Sequence, residues 1–107
     1  MTNVDFNQIV DDQLKYCCSL LCKKGAEYDL DTNDRFHSFK VAGSLEGKTP
    51  AQALAGMMAK HTVSIYDLIN SECSDLTIWE EKITDHINYL LLLKGLIMEQ
   101  NGGNNGH

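Results

Sequence analysis

The sequence predicts an all-α fold: about four helices in a bundle-like single domain, completed by oligomerisation. Three observations carry that expectation. Apolar residues recur at spacings of three and four along most of the chain, the period of a helix rather than the alternation of a strand. There is one proline in 107 residues, and the glycines punctuate periodic stretches instead of forming a repeat. Pairs of capping residues stand ahead of two of those stretches.

The first helix is expected from about Val4 to Lys24, where Phe6, Val10, Leu14, Cys17 and Leu21 form one stripe. Gly25 then follows Lys23 and Lys24, a combination suited to a left-handed cap and to the negative end of a helix dipole. A loop over Gly25 to Asn33 leads to a second helix, from about Asp34 to Glu46, with Phe36, Phe39, Ala42 and Leu45 on one stripe and Gly47 as its stop. The third helix has the clearest start. Thr49 caps it, Pro50 fits the first turn where no N–H is needed, and Gln52 completes a capping box; the helix should reach about Asn70.

Ser71 to Leu76 is read as a connector, and Thr77 with Glu80 as the capping pair of a fourth helix that runs to about Gln100. In its second half Ile87, Leu90, Leu91, Leu92, Leu93, Leu96 and Ile97 are apolar nearly all round. A helix of that kind must be surrounded, and three short partners can hardly enclose it, so a helix from a second copy is the expected cover. The domain is placed at residues 1–100. The tail from Asn101 to His107 has no apolar side chain to bury and is expected to be flexible and dispensable.

Apolar residues at 43 % and charged residues at 22 % are close to a globular average, which disfavours both a disordered chain and a membrane protein. Fifteen carboxylates against nine basic side chains give a net charge of −6, a field that repels a phosphate backbone and argues against general nucleic-acid binding. The longest apolar run, Tyr89 to Leu93, is far short of a membrane span, and no basic flank precedes an apolar segment at the N-terminus. A cytoplasmic location is expected. On that reading the four cysteines are reduced, buried thiols.

Several motifs fail on context. Ala42 to Thr49 satisfies a relaxed phosphate-loop pattern, but a helical stripe precedes it and Pro50 follows it, where a buried strand and a helix would be needed. Asp29, Asp31 and Asn33 begin like a calcium loop, yet Asp34 stands where glycine makes the turn and Lys40 where a carboxylate closes the shell. Cys18 and Cys22 are one turn apart without a second pair at metal-site spacing. His37, His61 and His86 sit on three different helices, and none forms the His-Asp dipeptide of metal-dependent phosphohydrolases.

Two polar stripes are more informative. Lys60, Ser64 and Asp67 align on the third helix, and Glu81, Asp85, Asn88 and Tyr89 on the fourth. The second stripe runs into the all-apolar half of its helix, where polar groups need partners or a ligand. A functional cleft and a buried structural network are both open at this point.

The segments DRFHSFK, TPAQALAGMMAKHTVSIYDLI and WEEKITDHINYLLLLKGL resemble short phage and prophage proteins related to the nucleotide-modification-associated domain, over about Lys15 to Glu99. The last segment is also similar to the closing helix of MazG and dimeric dUTPase-type pyrophosphohydrolases. The resemblance implies a helical oligomer in the bacterial host cytosol, acting on or holding a nucleotide-type small molecule. The pyrophosphohydrolases use magnesium held by EExxE and ExxD motifs. Here the first helix offers only Asp11 and Asp12, and Glu81 and Asp85 are spaced by four rather than three.

The expected function is therefore an oligomeric, non-catalytic nucleotide-binding protein without a cofactor, sequestering a nucleotide or a nucleotide immune signal. Its ligand-binding residues are expected to be Arg35, reaching in from the second helix, and Lys60, His61, Ser64, Asp67, Asp85, Asn88 and Tyr89. The alternatives are a magnesium-dependent pyrophosphohydrolase using Glu81, Asp85 and Asp67, and a small acidic protein that inhibits a host enzyme through its surface.

Overall fold

The computed structural model describes residues 1–28 and 34–102, with the side chains of 24–28 outside the description. Four helices account for most of them, and no strand occurs among the described residues: α1 (Asn3–Tyr28), α2 (His37–Glu46), α3 (Pro50–Asn70) and α4 (Leu76–Gln100). The fold is all-α, as the periodicity implies. The chain divides into two compact units, Met1–Arg35 and Phe36–His107. The apparent calcium loop at Asp29, Asp31 and Asn33 lies outside the described residues, as does the tail beyond Gly102.

The first unit is built on α1. The Thr2 hydroxyl accepts the Asp5 N–H at 3.1 Å, and Asp11 pairs with Lys15 one turn on at 2.9 Å. The helix does not stop at Lys24: it continues through Gly25 to Tyr28. A glycine lowers helix propensity by about 1 kcal/mol but does not by itself end a helix that other residues sustain. Of the expected stripe, Phe6, Val10 and Leu14 are exposed and Cys17 is buried. The thiols are not uniformly buried either, since Cys18 and Cys22 stand exposed.

In the second unit α3 packs against both α2 and α4. The core is Phe39, Leu54 and Leu96, with Phe36, Met57, Met58, Tyr89, Leu92 and Leu93 against it. Leu45 continues the α2 stripe in sequence but is exposed, and Gly43 takes the buried place. The second helix begins at His37 rather than Asp34, because the Phe36 carbonyl is the acceptor for the Phe39 and Lys40 N–H groups. Arg35 thus stands in the turn ahead of α2, not on it.

The α2–α3 turn is local chemistry. Gly47, at φ 67°, donates to the Ser44 carbonyl and Lys48 to the Gly43 carbonyl, the paired closure of a left-handed helix end. Two residues later the Thr49 hydroxyl accepts the Gln52 N–H at 3.1 Å while the Gln52 side chain accepts the Thr49 N–H at 2.9 Å. The capping box is formed as the sequence predicts.

The α4 cap differs from the expectation. Asp75, not Thr77, caps the helix, accepting from the Thr77 and Ile78 N–H groups at 2.9 and 3.4 Å. A carboxylate there also meets the positive end of the dipole, which a threonine hydroxyl cannot do. The indole N–H of Trp79 donates to the Cys73 carbonyl at 2.7 Å and so pins the α3–α4 connection, in which Glu72 adopts φ 55°. No helix among the described residues is long and apolar enough to cross a membrane.

Candidate functional site

The α3–α4 seam gathers polar side chains at one level. The His61 and Tyr89 rings lie 4.7 Å apart between centroids with a 37° tilt. The Asp85 carboxylate stands 4.0 Å from His61 Nδ1, within reach of an ion pair when the imidazole is protonated. All three side chains are half-buried. Beside them Thr62 Oγ1 and His86 Nε2 are hydrogen-bonded at 2.9 Å, a second link between the helices.

This constellation follows from the helix period. Asp85 and Tyr89 are one turn apart on α4 and meet the same level of α3, so adjacent residues His61 and Thr62 take up Asp85 and His86 respectively. Leu92, Leu93 and Leu96, one turn and more beyond, continue into the core. The polar cluster adjoins that apolar core, and its donors and acceptors partly satisfy one another.

Lys60 belongs to a different place. It lines a groove of about 320 Å³ together with Glu46, Lys48, Gln52, Gly56 and Met57, where the end of α2 meets the start of α3. One residue along a helix is a rotation of about 100°, so Lys60 and His61 serve neighbouring surfaces. Lys48 enters the sequence reading only through the phosphate-loop pattern that fails on context, and Gln52 only through the capping box, so neither is among the expected ligand residues. Two amines and an amide line the groove along about three turns of α3, with Glu46 supplying an opposing charge.

The remaining expected residues are spread. Ser64 donates its hydroxyl to the Lys60 carbonyl at 3.0 Å, a bond within its own helix. Asp67 is exposed, and Arg35 belongs to the first unit. Asn88 is buried, and its Oδ1 has no hydrogen-bond partner among the described residues. An unsatisfied buried acceptor costs about 1–3 kcal/mol.

Among the described residues no group of three His, Cys, Asp or Glu side chains is placed to hold a metal ion. Glu81, Asp85 and Asp67 are therefore not gathered into a cage within the chain, and the three helix-borne histidines do not converge on one. Compared with protein-family models, with curated proteins and with solved structures, the chain finds no match.

Proposed function

We propose that the protein is a phage-type, oligomeric nucleotide-binding protein that lacks turnover and sequesters a nucleotide or a nucleotide immune signal. The observation that carries this reading is the His61–Tyr89 ring pair beside the Asp85 carboxylate, one helical residue from Lys60 and its groove. Half-buried rings offer a base a stacking surface, a carboxylate accepts from exocyclic amines or ribose hydroxyls, and Lys60 with Lys48 supplies cations for phosphate. Asn88 adds a buried acceptor that another molecule could satisfy. The sequence resemblance points to the same ligand class. With net charge −6, the cations for a phosphate must be gathered locally, and an oligomer built through α4 repeats them about its axis.

Thermal-shift and titration measurements with ATP, GTP, dUTP and their monophosphates, with and without magnesium, test the reading. Stabilisation independent of magnesium and without product supports it. Magnesium-dependent release of pyrophosphate would replace it with the hydrolase, and no shift with any nucleotide would favour a protein that inhibits a host enzyme through its surface.

A further inference from the structure

The face of α4 turned away from its own core reads the same in both directions. Leu76, Glu80, Ile83, Ile87, Leu91, Lys94 and Met98 are separated by 4, 3, 4, 4, 3 and 4 residues. At 100° per residue all seven fall within about 40° of Ile87, and Leu92 and Leu96, which pack on Phe39 and Leu54, lie on the opposite side. Six of the seven are exposed and Ile87 is half-buried. Leu76 is 81 % exposed, a large apolar side chain with little cover in the protomer.

Reversal about Ile87 places Leu76 against Met98, Glu80 against Lys94 and Ile83 against Leu91. Glu80 and Lys94 are the only charges on this stripe, and among the described residues neither has an ion-pair partner. A parallel pair would set Glu80 beside Glu80 and Lys94 beside Lys94, whereas an antiparallel pair converts both contacts into attraction. The seam spans about 33 Å at 1.5 Å per residue.

We infer that α4 docks antiparallel on α4 of a second copy, about a two-fold axis at Ile87, with two reciprocal Glu80–Lys94 ion pairs. Such a contact is isologous, the same patch meeting itself, and it requires the self-complementarity that this spacing has. The inference rests on the reading that α4 is shared between copies, and adds its direction, register and the charges that select them.

Charge exchange tests it by sedimentation equilibrium at low salt on wild type, Glu80→Lys, Lys94→Glu and the double variant, with circular dichroism to verify helix content. Each single exchange faces like charges twice and is expected to weaken self-association by about tenfold or more, while the double variant restores it. A wild-type assembly that is indifferent to both single exchanges, or that both disrupt without rescue by the double, overturns this register but leaves a shared α4 standing. A wild-type chain that is monomeric at micromolar concentration removes the shared α4 itself.

Discussion

A methyl group on Gly43 would stand 2.7 Å from the carbonyl oxygen of Lys48, and the Lys48 N–H already donates to the Gly43 carbonyl at 2.7 Å. The two residues close the α2–α3 turn by backbone on backbone, so no side chain can yield to make room. The turn in turn carries Glu46, Lys48 and Gln52 to the rim of the groove that Lys60 lines.

Gly43→Ala is therefore expected to destabilise the protein by about 1–3 kcal/mol despite the better helix propensity of alanine. Gly56→Ala is the matched control. Nothing lies within 4 Å of a Cβ there, so it should gain up to about 1 kcal/mol. Urea unfolding of both variants checks the pair, and equal effects would mean that the turn relaxes.

Asp75→Ala should cost about 1 kcal/mol of stability, through loss of the cap and of its charge near the helix dipole. Thr77→Ala should leave stability nearly unchanged, because the Thr77 hydroxyl does not cap α4. Thermal unfolding of the two variants distinguishes the observed cap from the one that spacing alone suggested.

For the ligand site, Lys60→Ala should weaken nucleotide binding by about 1.5 kcal/mol, close to tenfold, through loss of a charge-assisted hydrogen bond. Asp85→Asn keeps the shape and removes the charge. Retained binding identifies a hydrogen-bond acceptor, whereas loss of a magnesium-dependent turnover would identify a metal ligand. Calorimetric titration of both variants with the same nucleotide decides between these roles, and unaltered binding in both would make the cluster purely structural.

Cys22 carries a pH prediction. Its thiol is held above the ordinary range by a hydrogen bond with Cys18 and by the charge that Cys18 acquires. A raised thiol pKa favours the protonated form in the folded helix, so linked stability is present below the unfolded value and fades as pH rises through the folded one. Since the thiolate is the nucleophile, Cys18→Ser should change the hydrogen bond and remove the second thiolate, shifting the pH profile of Cys22 alkylation downward. Mass-resolved iodoacetamide labelling across alkaline pH measures it, and an unshifted profile would show that the two thiols act independently.

Local chemistry explains how much the sequence determined alone. The helical class, the Gly47 stop and the Thr49–Gln52 capping box depend on residues a few positions apart, and each is legible without a partner. The Asp85–Tyr89 spacing likewise identified one half of the polar cluster. Interactions at longer range were decided by tertiary structure: helix register set His61 opposite Asp85 and Tyr89, and the turn after α2 placed Glu46 and Lys48 on the groove that Lys60 also lines. One stripe from Lys60 to Asp67 thus serves a groove, an internal hydrogen bond and solvent in succession. Periodicity shows which residues share a face, but only packing fixes what that face meets, because burial energy depends on the neighbour and not on the spacing.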